Sequence, residues 1–536
     1  MTRAGVAERR SVQILEVRLP CRGYQIPRSR GRLASRAESP NASDSLSAVS
    51  DQVTVPAATT SRGASVVRAG LLSMVGLVAL GGTRLVHGSL VSRATDQETY
   101  GLVGALIGLA MTVSLFLPGG LASAASRFIP FHRGGGDEAA ARSAYRVLTV
   151  AGYACALGLG VNVALIATVL EGVTAGDAVA VGLLAAVFSA YSVAKSALYG
   201  FDRVVPYTWL EIAGSVVAIG ATVVVVASGF RAYLLPLTLG YAVLMLGALV
   251  VLRRDRKSPS GLLRLNLREM AVYVGLASLG GVASAGLLQA LPVAASRFTT
   301  LTEVSYVTAA VTLVAPLYFL PRALGMALFP AMAKAHGAGD ADVVRRHADI
   351  FTRALLVLLA PIFAVGVLIS PEVLALFGGG EYARGAGVLR VVLLATYVAV
   401  VQVAAVNALS SGDGFRIPVW ASVVGAVVGL VAVVPLGWWF GGIGVAVAYL
   451  VAVAVGAAVP LGVVWRRFDL AWTGPASRSF AVVLAAVVVA PWLDALGWVG
   501  VARAGLDLAA AVGLAAAGAW LLRRDIAGIL AVRGTL

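Results

Sequence analysis

The sequence predicts an all-α polytopic membrane protein of about 14 transmembrane helices, with two six-helix lobes in parallel repeat and two further C-terminal helices. Three observations lead there. The first is composition: of 536 residues, 59% are hydrophobic and only 13% charged, with a mean hydropathy of +0.88. Soluble domains are about a quarter charged, so this chain has too little polar surface to coat a water-soluble globule. The second is run length: the apolar stretches are about 20 residues long, enough to cross about 30 Å of hydrocarbon. The third is an internal repeat.

Residues 1–65 are rich in Arg and Ser with no long apolar run, and are expected to form a disordered basic cytoplasmic tail. No apolar stretch follows the first arginines, so this is not a secretory signal peptide. Apolar runs then follow at about 66–90, 100–124, 145–170, 178–200, 206–228, 232–252, 270–292, 304–330, 351–371, 387–410, 417–439, 441–465, 479–497 and 499–522. Helix is the expected conformation, because lipid offers no partner for backbone polar groups. The runs do not alternate as barrel strands would.

Lys and Arg set the expected orientation. Connections on one side hold 24 basic residues against 6 on the other, and the N-terminal tail adds 11 to the richer side. Both termini are therefore expected in the cytoplasm, with an even number of helices in the plasma membrane. The net charge of +16 reads as this topological bias and not as a nucleic-acid face.

The repeat aligns Gly76–Gly82 in the first helix with Gly275–Gly281 in the seventh, and Pro118 with Pro321. Asp137 and Asp340 each follow their proline by 19 residues, and Arg142 and Arg345 keep the same offset. The matched helices are six apart, so the copies run parallel, as in two-lobed transporters. The expected organisation is an N-terminal lobe at 66–252, a basic linker at 253–269, a C-terminal lobe at 270–465, and the last two helices with a cytoplasmic end at 466–536. Gly81, Gly82, Pro118, Gly280, Gly281 and Pro321 are candidates for hinges or close helix packing.

Some of these residues also carry a family resemblance. The runs Glu98-Thr99-Tyr100-Gly101 and Pro118-Gly119-Gly120-Leu121, leading to Arg127-Phe128, resemble the first half of Wzx-type polysaccharide flippases. Phe329-Pro330, Gly339-Asp340, Ser370-Pro371-Glu372, Leu376-Phe377-Gly378, Glu381-Tyr382-Ala383 and Ser411-Gly412 resemble the second half more closely. The resemblance covers about 65–465 and points to the multidrug/oligosaccharidyl-lipid/polysaccharide exporter superfamily. It implies flipping of a lipid-linked oligosaccharide from the cytoplasm outward, with glycan polymerases and glycosyltransferases as partners. The Arg-rich signature of lipid II flippases around the second helix is absent.

Ionisable residues inside apolar runs are functional candidates, since each costs about 2.5–3.5 kcal/mol to insert. Arg84 lies within the first helix and His87 on the same face three residues on. A guanidinium fork suits phosphate oxygens, so Arg84 is the expected contact of a carrier phosphate; a packing or snorkelling role is the alternative. Arg127, Lys195, Arg297 and Arg322 are further substrate candidates, with membrane anchoring as the alternative for Arg127 and Arg322. Glu211 either pairs with Lys195 or Arg203 or couples ions. Asp494 and Asp507 read as interfacial. Asp340-Ala341-Asp342 spells a metal-binding pattern, but its repeat partner Asp137 suggests that both aspartates cap helices. No metal or cofactor is expected: two cysteines and four histidines lack ligand spacing, and no phosphate-binding loop occurs. Two other functions stay open, a cation-coupled multidrug exporter and a membrane glycan polymerase or transferase; short outer loops weigh against any enzyme.

Overall fold

The structure, a computed structural model, describes residues 59–169, 173–253, 265–318, 340–412, 416–496 and 500–532, with Leu328, Met332, Ala335, His336 and Gly414. Among these, all regular structure is helical. Most of the expected tail, most of the basic linker, Pro321 and Arg322 lie outside the described residues.

Helix α1 (Thr59–Ala94) begins earlier than its apolar run, because a nucleated helix extends at little cost. Asp96 then caps α2 (Gln97–Ser114) through the Thr99 amide. A break precedes α3 (Leu117–Gly134), bent by 50° from α2; Pro118 in its first turn cannot continue the helical hydrogen bonding. Next come α4 (Glu138–Ala167), α5 (Ala175–Gly200), α6 (Val204–Ser228) and α7 (Leu235–Val251). Helix α8 (Leu267–Gly281) passes through a π-helical turn, Val282–Gly286, into α9 (Leu287–Phe298). After α10 (Leu301–Val314) the described chain resumes as α11 (Ala341–Leu368) and the short α12 (Ser370–Gly378). A 3-10 turn, Gly380–Gly385, leads to α13 (Ala386–Val401) and α14 (Val403–Ser410). The long α15 (Arg416–Phe468) is two helices joined at Gly441, whose φ of +56° suits a residue without a Cβ. The chain closes with α16 (Thr473–Ala495) and α17 (Gly500–Val532).

Among the described residues, eleven helices are long and apolar enough to cross a membrane, or twelve with the bent α2–α3 pair. Dividing α15 at Gly441 and adding the 17-residue α7 gives fourteen spans, matching the fourteen apolar runs. Short connections make successive spans antiparallel. One rim of the bundle collects the α3–α4, α5–α6 and α7–α8 connections and is called the basic rim below. The opposite rim carries the α1–α2 and α9–α10 connections and α12.

The aspartate readings from the repeat are met in the geometry. Asp137 accepts from the Ala140 amide and Asp340 from the Val343 amide, with nearly equal backbone angles. Both therefore cap helices, α4 and α11.

Two large apolar cores organise the bundle. One joins buried side chains of α2 to α7. The other joins α9 to α13, the second half of α15, α16 and α17, and takes in Val91, Tyr100 and Ala105. The seventh span is shared between them. Met270 and Val274 of α8 pack in the first core, and Tyr273 meets Phe128 edge-on at 5.6 Å; α9, beyond the π turn, packs in the second. A smaller core at the basic rim includes Met332, Val344, Ala404 and Trp472.

Candidate functional site

Arg84 stands half-way along the apolar stretch Leu72–Ala94 of α1, where its guanidinium is expensive to leave bare. Its Nε donates to the Tyr241 hydroxyl at 3.1 Å. Its Nη2 lies against Met111 Sδ, and its plane lies 5.6 Å from the Phe188 ring centroid. Phe188, Tyr191 and Tyr241 form a ring cluster with centroid distances of 4.9 to 5.6 Å. Aromatic faces stabilise a cation without cancelling its charge.

One turn further along α1, His87 is buried and shares a hydrogen bond of 2.9 Å between Nδ1 and Thr222 Oγ1. Its Nε2 is buried with no partner. Arg84 and His87 together line a cavity of about 60 Å³. From the far side Gln289, Thr308 and Thr312 close it, so the cavity lies between elements of the two cores. Neither Asp nor Glu lines it.

Behind Arg84 lies a second polar group. Tyr191 OH donates to the Glu211 carboxylate at 2.9 Å, and Lys195 Nζ donates to Tyr191 OH at 3.2 Å. Lys195 also sits 5.2 Å from the Tyr207 ring centroid. Tyr191 OH thus bonds both Glu211 and Lys195. The charge of Arg84 is felt at Glu211 as well.

The other candidates stand elsewhere. Arg127 is exposed near the basic rim and lies 4.5 Å from the Tyr273 ring, joining α3 to α8. Arg297 is exposed at the end of α9 on the opposite rim. Neither lines the cavity. Asp507 is 0% exposed and is paired with Arg503 one turn before it on α17. A metal cluster of three or more His, Cys, Asp or Glu is absent among the described residues.

The Gly280-Gly281 pair directly precedes the π turn of the seventh span. A Cβ at Gly82 or Gly280 would meet nothing within 4 Å, so neither serves a close helix contact. On α2, by contrast, a Cβ at Gly101 would lie 2.0 Å from the Leu301 carbonyl oxygen, at Gly104 2.0 Å from Thr308 Oγ1, and at Gly108 2.8 Å from the Gln289 carbonyl oxygen. This glycine face lets α2 press against α9 and α10. Its spacing, Gly104-x-x-x-Gly108, was visible in the sequence.

The opposite rim is closed above the cavity. Ser89 Oγ and Arg93 Nε donate to the Phe377 carbonyl at 2.7 and 3.2 Å, and Arg93 Nη2 donates to the Leu376 carbonyl. Beneath this, Tyr382 lies edge-on to Tyr100 and Tyr306 at 6.0 and 6.1 Å. The motif residues of α12 and the following turn are therefore parts of a clasp between α1, α2 and the second core.

The family described as MatE matches residues 286–435, from the end of the π turn into α15. No curated protein matches the chain. Among solved structures, the lipid II flippase MurJ in an inward closed conformation superposes with a TM-score of 0.63 at 12% identity, covering 85% of this chain and 99% of that one. The chain shares the fold of the MOP-superfamily transporters. An inward-facing multidrug resistance MATE family transporter of that superfamily follows at 0.60 and 15% identity, covering 73% of this chain and 94% of its own. A MOP-superfamily transporter from Pyrococcus furiosus, whose reversed pocket polarity suggests a different function, scores 0.55 at 16% identity over 75% and 95%. With fourteen apolar spans and this fold, the chain is a multi-pass membrane protein.

Proposed function

We propose that this chain is a flippase that moves a lipid-linked oligosaccharide, of the polyprenyl-phosphate type, across the plasma membrane by alternating access. The observation that carries the reading is the lone cation of the inter-core cavity: Arg84 lines it and no carboxylate does. A cationic drug would want the reverse. The reading takes the basic rim as cytoplasmic, so the clasped rim faces outward and the structure is closed on that side. Phosphate would meet the Arg84 fork, with Gln289, Thr308 and Thr312 offering hydrogen bonds, while the lipid tail stays in the bilayer. At about 60 Å³ the cavity admits no sugar until the lobes part. An inside-negative potential supplies about 2.3 kcal/mol per charge per 100 mV, so two phosphate charges moving outward gain about 4–5 kcal/mol without ATP.

The test is reconstitution into liposomes with Arg84→Ala and Arg84→Lys beside the natural chain. Flipping of a fluorescent lipid-linked oligosaccharide should be lost in the Ala variant and partly kept in the Lys variant, with membrane insertion equal in all three. A natural chain that exports cationic dyes and flips no lipid-linked glycan would establish the multidrug reading instead.

A further inference from the structure

Around the root of α12, five charged side chains meet. Arg390 grips Asp494 with two bonds, at 2.5 and 3.1 Å, and its Nε donates to the Val367 carbonyl. Arg503 reaches the same Asp494 at 2.6 Å and Asp507 Oδ2 at 2.6 Å. Both guanidinium groups are thus committed to carboxylates. Asp507, fully buried, has its Oδ1 left without a donor. The Glu372 carboxyl comes within hydrogen-bonding reach of Asp507, and its own Oε2 is also buried without a donor. Two carboxylates within such reach, each with a buried oxygen that lacks a donor, repel when both are ionised. One shared proton turns them into a donor and an acceptor.

The other charged groups near α12 do not supply that donor. In the 3-10 turn stand Glu381 and Arg384, and on α10 Glu303, which accepts from the Gly442 amide at 2.7 Å. The charged residues of α11, Asp342 through Arg353, lie at its basic end.

We infer that Glu372 and Asp507 form a proton-binding site whose occupancy holds the outward rim shut, with α12 as the connecting piece. Helix α12 is nine residues long. Its first turn carries Glu372, against α17. Its last residues carry the Leu376 and Phe377 carbonyls that Ser89 and Arg93 of α1 hold. Ionising the pair pushes the first turn off α17 and draws the carbonyls away from α1. Burial first, then the neighbouring Asp507, raises the Glu372 carboxyl to about 7 from an ordinary 4.5. The folded pair binds its proton more tightly than a free carboxyl. Its contribution is therefore full below about pH 4.5 and lost as pH rises through about 7. An acidic exterior keeps the rim clasped. The inference rests on the alternating-access reading for its physiological sense, but its readout is a distance and not transport.

Spin labels at Ala94→Cys and Leu376→Cys, both exposed positions, report that distance in the full chain in liposomes, with Cys21 and Cys155 replaced by Ser. The short-distance population should fall severalfold across neutral pH with a midpoint near 7. In Glu372→Gln it should stay short at every pH, since the amide donates without titrating. A distance that ignores pH in the parent, or an unchanged pH response in Glu372→Gln, overturns the inference. An infrared titration of the unsubstituted chain needs no variant: a carboxylic-acid band should disappear near the same midpoint, and its absence overturns the inference. A chain that shows this distance change yet flips no lipid-linked glycan overturns the functional reading and leaves the proton site standing.

Discussion

The two halves of the molecule hold their buried charges in different ways. In the first half, Arg84 and Lys195 rest against aromatic rings and tyrosine hydroxyls. Tyr191 bonds both Lys195 and Glu211 there, and Arg84 has its bonds to Tyr241 and Met111. In the second half, Arg390 and Arg503 are tied directly to Asp494 and Asp507. Rings and hydroxyls steady a cation and leave its field available to a ligand; a carboxylate at bonding distance neutralises it. The first arrangement suits a site that must receive an anion, the second a joint that must hold helices together.

The contrast can be broken by experiment. The largest effect is expected from Arg84→Ala, with flipping lost and thermal stability nearly kept, because Arg84 has no directly bonded carboxylate to orphan. Arg390→Ala should do the opposite. It takes the two-bonded partner from Asp494, which is part-exposed and keeps Arg503, and should cost about 1–3 kcal/mol, read as a lower unfolding temperature in detergent, while folded molecules still flip lipid. If the two variants exchange phenotypes, the division of labour is wrong. Gly104→Ala comes next. Its Cβ would collide with Thr308, an overpacking of about 1–3 kcal/mol, and the expected result is a larger open fraction at the clasped rim by the Ala94–Leu376 distance. The smallest effect belongs to Asp340→Ala, the loss of one helix cap at about 1 kcal/mol, with no change in any metal response.

Much of the fold could be read in advance, because bilayer thickness fixes run length. The fourteen apolar runs correspond one to one with the spans, and the turn at Gly441 falls on the first residue of the twelfth run. Interruptions inside runs were harder. The 50° break before Pro118 sits in one continuous apolar run, and the π turn at Val282–Gly286 is marked only by the Gly280-Gly281 pair before it. At the site, Arg84 stood out because a charge in an apolar run is rare. Its setting did not: Phe188, Tyr191 and Tyr241 are unremarkable residues in α5 and α7 until packing brings them together. The burial of Asp507 could not be read in advance, because closeness to the end of a run says nothing about which way a helix face points.

The glycine face of α2 has a consequence for how this protein can change. Nothing is smaller than glycine, so every substitution at Gly101, Gly104 or Gly108 adds bulk to a seam that already touches backbone or side chain. Mutation there runs in one direction only, toward prying the seam apart. Variation at these positions can loosen that side of the molecule, but never tighten it.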